Sequence, residues 1–422
     1  MMTTTYPGPA PVRLLVVSSD TYPPVRVDVS VLFGQELASR GFEIDWILQS
    51  EASCDRAYET SWGGGKAWVG ATNLGSSIWS RLRKHTAGLL HDLKLVPRLR
   101  TGNYDVIEVK DKFLSGVVAA CAARLYKARF VYWLSYPFPE EYLIRARDGT
   151  ARYPLLYQIR GSVFKFLLYR VLMPAADHIF VQSEQMRRDI AKQGVPPEKM
   201  TAVPMGVDVE KFSPVTLRAA DRRLVPPGEP CVLYLGTLVR VRRLDFLVRV
   251  MARVCTAVPG AKLYLVGRGD DPSDEELLVR EARRLDVSES VVFVGQLPQA
   301  EALRYVQEAD VCVSPFFPTP ILNSTSPTKL VEYLAMGKAV VANDHPEQRL
   351  VIEQSGAGYC VPWDEEAFAA AIIKLLKSPE AAALMGQRGR AYALEHRSYP
   401  KIADMVGQCF RQLLEPAETR QR

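Results

Sequence analysis

The 422-residue chain has no run approaching the 18 or more uncharged apolar residues that a membrane-spanning helix needs. Its opening, MMTTTYPGPAPVR, lacks the charged start and apolar centre of a secretory leader. Cysteine is sparse and unordered: Cys54, Cys121, Cys231, Cys255, Cys312, Cys360 and Cys409 are odd in number and nowhere form C-x-x-C. That pattern implies neither a disulfide framework nor a cysteine zinc site, and most of these residues read as small buried apolar ones. The five histidines, His85, His91, His178, His345 and His396, stand at no ligand spacing. No Walker loop, H-E-x-x-H pattern or nucleophile triad occurs. The expectation is a cytoplasmic protein without a bound metal.

With 48% apolar and 24% charged residues the composition is that of a globular protein, and the length exceeds what one hydrophobic core usually supports, so two domains are expected. The formal charge of +6 is unevenly placed, with eleven Lys or Arg against four acids between Arg81 and Arg129, a local +7. Inside this region SIWSRLRKHTAGLLHDLKLV sets Ile78, Trp79, Leu82, Leu89, Leu90, Leu93 and Val96 at near-helical spacing, and Arg81, Arg83, Lys84 and Lys94 avoid that face. Such a helix either buries one face in its domain or lies on an anionic membrane, and residues 77–100 are the candidate contact, at the inner face of the membrane. Few aromatic residues accompany the positive charge, which argues against a nucleic-acid partner.

Strand and helix patterns alternate in two series. VRLLVVSS, FEIDWILQ, YDVIEVK, RFVYWLS and DHIFVQS are the strands of the first, with the helix-like VSVLFGQELASRG behind the opening strand. CVLYLGT, AKLYLVG, VVFVGQ, VCVSPF, KAVVAND and AGYCV are those of the second, separated by amphipathic runs such as LDFLVRVMARVCTAV. Alternation of this kind predicts an α/β protein with doubly wound parallel sheets. SPVTLRAADRRLVPPGEP, residues 213–230, is rich in Pro and charge and reads as the interdomain connection, and the final EPAETRQR as a loose tail. Ligands of such folds bind beyond the carboxyl ends of the strands, so two facing domains are expected to form one cleft.

The densest chemistry lies in SPTKLVEYLAMGKAVVA, Ser326 to Ala342. Ser326 suits an N-cap, Pro327 the first helical position and Gly337 a left-handed C-cap. The free N–H groups and positive dipole end of that helix, with Lys329 in its first turn, form a site for an anion. Glu332 shares the face of Lys329 and can accept from both hydroxyls of a ribose, or else the two side chains pair with each other. After CVLYLGT, Arg240, Arg242 and Arg243 form a like-charged cluster that a pyrophosphate would offset. The turn at Gly267, Arg268 and Gly269 is a weaker signal, and the five acids of GDDPSDEE, residues 269–276, read as helix capping through Ser273 or Asp274 rather than a metal site. Asp111, in IEVKDKF, is either an acceptor contact or an ordinary loop acid.

These segments resemble the two-Rossmann-domain glycosyltransferases called GT-B, and specifically the large retaining family four. ADHIFVQSEQMRRDIAKQGVPPEKMTAVPMGVDVEKFSP, residues 176–214, is similar to the segment that closes the first domain in that family. YLGTLVRVRRLDFLV resembles its diphosphate loop, SVVFVGQLP its base-contacting strand, SPTKLVEYLAMGKAVVA its donor helix, and RSYPKIADMVGQCFRQLL the terminal helix that crosses back. The resemblance implies an acceptor domain over residues 1–212, a nucleotide-sugar domain over 213–398, and a terminal helix and tail over 399–422. It implies that Lys329 and Arg242 bind the diphosphate and act in catalysis, that Glu332 binds the ribose, and that Gly295, Gln296 and Leu297 flank the base. Gly236, Thr237, Arg240, Ser324, Thr325, Ser326 and Thr328 complete the donor side, and Arg26, Asp111 and Ser135 the acceptor side.

Four positions depart from the family pattern: Ser324 replaces a sugar-holding Glu, Thr237 the first diphosphate Arg, Pro24, Val25 and Arg26 a glycine pair, and Ser135 a histidine near the reacting sugar. Arg242 itself stands where lysine is usual, with the same charge but a planar fork. The implied activity is metal-independent transfer, with retention, from a UDP-sugar or next a GDP-sugar to a saccharide or lipid-linked acceptor in polysaccharide or glycoconjugate synthesis. The donor is then a substrate, and no cofactor is needed. An epimerase or hydrolase on the same fold, or a noncatalytic binding subunit, are the alternatives. The oligomeric state has no signature in the sequence.

Overall fold

The computed structural model describes residues 11–72, 75, 78–213 and 223–415. Residues 1–10, residues 214–222 of the expected connection and residues 416–422 of the expected tail lie outside the described residues, as do the side chains of Ile78, Trp79, Arg81 and Leu82. The chain divides into two units, Met1–Pro204 with Tyr399–Arg422, and Met205–Ser398.

The first unit is built on eight strands: β1 (Val12–Tyr22), β2 (Phe42–Ser50), β3 (Tyr58–Trp62), β4 (Gly65–Gly70), β5 (Val106–Lys110), β6 (Arg129–Leu134), β7 (His178–Val181) and β8 (Met200–Ala202). Their order is β3-β4-β2-β1-β5-β6-β7-β8. All neighbours run parallel except β3 and β4, a hairpin whose turn at Gly63 and Gly64 takes φ of 58° and 79°. Two successive positive φ values are what a two-residue hairpin turn demands, and glycine supplies them without strain. β3, β4 and β8 are additions to the five strands read from the sequence. β1 and β5 are central and contribute apolar side chains to the cores on both faces of the sheet.

The terminal helix Tyr399–Leu414 packs on this unit. It buries Tyr399, Ile402, Ala403, Val406, Phe410 and Leu413, and Phe410 meets the rings of Phe42 at 5.9 Å and Phe180 at 5.4 Å. The expected helix after β1 is present but irregular, with an α-turn at Val27–Ser30 followed by a wider π-type turn at Leu32–Leu37. The basic amphipathic helix is shorter than its pattern suggested. It runs over Ile78–Asp92, and a second helix starts at Leu95. The break follows from Asp92, which is buried and accepts hydrogen bonds from Lys112 Nζ at 2.7 and 2.9 Å and from Ser115 Oγ at 2.6 Å. Leu90 and Leu93, expected on the apolar face, are exposed instead.

β5 also carries an acid into the core. Glu108 is fully buried opposite Val16 of β1 and Val131 of β6, and neither of its carboxylate oxygens has a hydrogen-bond partner among the described residues. Burial pushes its carboxyl up to about 8, against the pull of the neighbouring Lys110 charge.

The second unit holds six parallel strands: β9 (Cys231–Leu235), β10 (Lys262–Val266), β11 (Val291–Gly295), β12 (Val311–Ser314), β13 (Val340–Asn343) and β14 (Gly358–Val361), one for each strand read from the sequence. Their order is β11-β10-β9-β12-β13-β14. The chain therefore winds outward from β9 in one direction, then returns to start again beside it at β12. That reversal opens a crevice at the carboxyl ends of β9 and β12, the position where doubly wound sheets bind ligands.

One side chain ties the two flanks of this crevice together. Tyr333, fully buried in the helix Thr328–Ala335, accepts from the backbone N–H of Leu235 at 2.8 Å and donates to the Leu235 carbonyl at 3.4 Å. Cysteine plays no covalent part: all seven are free, with Cys231 and Cys312 buried, Cys121 exposed and the others half-buried.

Tyr333→Phe should leave the Leu235 N–H buried without a partner and destabilise the protein by about 1–3 kcal/mol in urea unfolding. Glu108 gives a pH signature. Its folded pKa lies above its ordinary value of 4.5, so the stability tied to its neutral form is complete below about 4.5 and is lost as pH rises through about 8. Thermal melts of Glu108→Gln should lack that component of the decline and exceed the parent most clearly at pH 8.

Candidate active site

At the carboxyl end of β9 the chain turns at Gly236, whose N–H donates to Val266 O at 2.9 Å, and at the end of β10 Gly267 donates to Gly295 O at 2.9 Å. A Cβ on Gly267 would stand 1.9 Å from the Gly236 carbonyl oxygen, so only glycine allows the two loops to press together. The weak glycine signal at residue 267 thus has a packing cause. Thr237 follows, exposed, its carbonyl accepting from Tyr234 Oη at 3.2 Å.

Arg240 to Arg242 form a single 3₁₀ turn and Arg243 takes φ of 54°. The three arginines separate. Arg243 lies against Asp245 at 3.5 Å and over the Phe317 ring, and Arg240 is exposed. Arg242 is half-buried with its guanidinium over Phe316 at 5.0 Å, and it has no ion pair among the described residues. Its charge is therefore held at the crevice by a ring and left available to an anion.

Phe316 lies in the segment leading from β12 to the helix Thr328–Ala335, and a buried polar network fixes that segment. Asn343 accepts from Phe316 N at 2.6 Å and donates to Phe316 O at 2.8 Å. Gln348 Nε2 donates to Asn343 O at 3.1 Å, and Ser314 Oγ donates to the Gln348 amide oxygen. His345 Nε2 bonds Leu322 O at 2.7 Å while its Nδ1 accepts from Glu347 N at 3.2 Å, and burial lowers its pKa, so it is a neutral staple. Asn343, His345, Gln348 and Tyr333 were missed from sequence. Asn-Asp-His, at the end of the predicted strand KAVVAND, was the local signal for Asn343 and His345.

Ser324 is buried, and its hydroxyl donates to Pro320 O at 3.4 Å. Thr325 Oγ1 donates to Leu322 O at 2.7 Å. The expected cap at Ser326 is corrected: the helix starts at Thr328 with Pro327 at its N-cap position, and Ser326 Oγ instead accepts from the Met205 N–H at 3.0 Å. No side chain caps Thr328–Ala335, which leaves the N-terminal donors and dipole directed at the crevice. Gly337 takes φ of 71° just past the end. Lys329 Nζ lies 3.0 Å from Glu332 Oε2, so the two share one face as their spacing implied, and here they are paired. Gly295 has φ of 83°, Gln296 is exposed and Leu297 is half-buried. The acids at 269–276 do cap a helix, but through Asp271, whose side chain accepts from Ser273 N while Asp274 closes the capping box. Among the described residues no cluster of three or more His, Cys, Asp or Glu is arranged to hold a metal ion.

In the first unit, Arg26, Asp111 and Ser135 come together at the carboxyl ends of β1, β5 and β6. Arg26 Nη1 donates to Ser135 Oγ at 3.3 Å, Ser135 N to Asp111 Oδ1 at 2.8 Å, and Ser135 Oγ to Asp111 Oδ2. Asp111 is a buried acid at φ of 57°, not an ordinary exposed one. Sequence reading missed Asp20, Asp28 and Lys110. Arg26 grips Asp28 through Nε at 2.9 Å and Nη2 at 2.8 Å, and buried Lys110 lies 2.9 Å from Asp20 and 3.6 Å from Asp28. Burial opposes charge on Asp28, but Lys110 and Arg26 outweigh it and hold the carboxyl below its usual range. Asp111 is pushed up by burial despite Lys110 and the two Ser135 bonds. The environment therefore shifts the two acids in opposite directions, Asp28 down through its cations and Asp111 up through burial.

Comparison with known proteins agrees with this architecture. A family model described as Glycosyltransferase Family 4 matches residues 29–211, and one described as Glycosyl transferases group 1 matches residues 229–378. D-inositol 3-phosphate glycosyltransferase of Segniliparus rotundus is 30% identical over 201 residues, covering 47% of this chain and 43% of that protein. Alpha-monoglucosyldiacylglycerol synthase of Streptococcus pneumoniae is 24% identical over 278 residues, 64% of this chain and 59% of its own. The chain thus spans about half the length of the curated relatives it matches. Among solved structures, sucrose-phosphate synthase from Thermosynechococcus elongatus superposes with a TM-score of 0.72 at 22% identity, covering 95% of this chain and 99% of that one. The two halves matched in order, on two doubly wound sheets, show that the chain belongs to the GT-B glycosyltransferases of the group 1 and family 4 type.

Proposed function

We propose that the protein transfers a sugar, with retention of configuration, from a nucleoside diphosphate sugar to a hydroxyl of a saccharide or lipid-linked saccharide, a UDP-sugar being favoured over a GDP-sugar. The observation that carries this is the uncapped start of Thr328–Ala335 with Lys329 and Glu332 on one face, tied by Tyr333 to the β9 loop that presents unpaired Arg242. That set supplies two cations and a helix dipole for a diphosphate and a carboxylate for ribose hydroxyls. Relatives named as a glycosyltransferase of D-inositol 3-phosphate and a synthase of alpha-monoglucosyldiacylglycerol support hydroxyl-bearing acceptors, lipid ones among them.

In this scheme the bond from the sugar's anomeric carbon to the phosphate oxygen breaks as the acceptor oxygen bonds to that carbon from the same face. The acceptor proton passes to the departing phosphate. Lys329, Arg242 and the helix N-terminus stabilise the developing charge, which needs no general base from the chain. Glu332 holds the ribose, Gly236, Thr237 and Arg240 line the phosphate loop, and Gly295 to Leu297 border the base. Ser324, Thr325, Ser326 and Thr328 shape the sugar end. Ser324 is shorter than the family's Glu and engaged with its own turn, so sugar selection falls to the backbone around it. Arg26, Asp111 and Ser135 serve the acceptor. A binding subunit without turnover is the reading favoured by Ser324, Thr237 and Ser135, and it predicts nucleotide binding with no acceptor-dependent release of nucleoside diphosphate. An epimerase or hydrolase would consume donor with no acceptor present.

A thermal-shift panel of nucleotides and nucleotide sugars should give its largest shift with one UDP-sugar or GDP-sugar, since a ligand at about 100 times its Kd adds roughly 2.7 kcal/mol. No shift with any member would overturn the donor site, and NMR of the transferred sugar's anomeric configuration tests retention. Lys329→Ala should lower kcat by roughly a hundredfold or more, because one preorganised donor to a developing anion is worth about 2.7–4 kcal/mol. An unchanged kcat would remove Lys329 from the leaving-group role.

A further inference from the structure

The helix Pro154–Phe166 is apolar on two faces, and only one of them has a use inside its unit. Its inner face packs on neighbouring rings and side chains, with Gly161 buried and Tyr157 and Phe164 half-buried. Phe164 stacks on Phe113 at 4.7 Å between centroids, Tyr157 meets Tyr142 edge-on at 5.6 Å, and a Cβ on Gly161 would stand 2.8 Å from Leu143 Cγ. The other face carries Leu155, Leu156, Ile159, Val163 and Phe166, which are 74%, 59%, 53%, 48% and 61% exposed. At 3.6 residues per turn these five fall within an arc of about 100°, a continuous stripe rather than scattered surface residues. Stripes of this kind on a folded protein mark a contact, since isolated exposed apolar residues need no explanation but contiguous ones do.

The charge around the stripe says what kind of contact. From Ala151 to Ala176 the chain carries Arg152, Arg160, Lys165 and Arg170 and no Asp or Glu. Lys165 faces Glu140 at 3.8 Å, but Arg152, Arg160 and Arg170 have no ion pair among the described residues. Arg160 is braced over the Tyr142 ring at 4.5 Å and beside Phe164 at 5.3 Å, at the stripe's edge. Two further exposed cations, Arg83 and Lys84, lie on the helix Ile78–Asp92, whose His85 feels the charge of both Arg160 and Lys84. No helix of the described residues is long and apolar enough to cross a membrane.

We infer that the exposed face of Pro154–Phe166 docks on the surface of a bilayer bearing anionic phospholipid headgroups, its apolar side chains entering the interface while Arg152, Arg160 and Arg170 meet the headgroup phosphates. A protein partner with an acidic rim would need a shaped counterpart, whereas an apolar arc with a one-sign border is the pattern by which helices lie in a lipid interface. The inference does not depend on the proposed donor or acceptor. It places the contact on a helix different from the basic one that composition pointed to.

Flotation of the full chain tests it, with vesicles of phosphatidylcholine alone and of phosphatidylcholine mixed with phosphatidylglycerol. The expected result is binding to the mixed vesicles only, weakened as salt is raised. Leu155→Ser/Ile159→Ser/Val163→Ser should abolish flotation while keeping the parent's Tm and nucleotide-induced shift. Arg152→Glu/Arg160→Glu, which leaves the stripe intact, should weaken binding by roughly twentyfold or more, at about fivefold for each cation lost. Equal binding to both vesicle types, no binding to either, or full binding by the serine variant would overturn the proposal. So would sedimentation showing a parent dimer that the serine variant turns to monomer, with neither floating. That outcome would assign the stripe to self-association.

Discussion

A parallel sheet puts every strand's carboxyl end on one edge, and the chain must choose a direction in which to wind. In the second unit it winds one way from β9 and then restarts beside β9 at β12, so the loops after those two strands part and leave backbone donors facing an open crevice. Everything at the candidate donor site depends on that reversal. Arg242 arrives on the loop after β9, and Lys329 and Glu332 on the helix after the β12 segment. The Tyr333 hydroxyl makes the separation definite, because it satisfies both backbone groups of Leu235 from the far flank. A buried hydroxyl with one donor and one acceptor to serve has little freedom to move, so the spacing of the loop after β9 and the helix Thr328–Ala335 is set by this bond.

The first unit solves an opposite problem. Its carboxyl edge collects Asp20, Asp28, Asp111, Lys110 and Arg26, and each buried charge is tolerable only because another neutralises it. The arrangement is costly as stability and valuable as position. Ser135 makes two bonds to Asp111 and receives one from Arg26, so it is tied into the network. Glu108, two residues before Lys110 on the same strand face, is the member left without a hydrogen-bond partner among the described residues.

Much of this was legible from residues alone. Six apolar runs of strand length, separated by amphipathic segments, gave each strand of the second sheet, because the inner strands are buried on both faces and the edge strands β11 and β14 are still half-buried. The three-residue spacing of Lys329 and Glu332 gave their shared face, because helix geometry is local. Local rules failed where a distant group competed. Ser326 is a good cap by type, but Met205 takes its hydroxyl, and Pro327 occupies the cap position. The long basic helix ends early because Asp92 finds Lys112 and Ser115, partners on another element.

The sequence by itself determined most element types, the two winding series and the chemistry available on the helix Thr328–Ala335, since each is fixed by neighbours within a few residues. Only the tertiary structure decided that of three arginines Arg243 is paired and Arg242 is held over a ring, that Tyr333, His345 and Asn343 hold the site's backbone, that Lys110 belongs to a buried charge cluster, and that Pro154–Phe166 shows a second apolar face to solvent. The reason is the same in each case. A polar or apolar group is used or left over according to what packs against it, and that partner comes from a remote part of the chain.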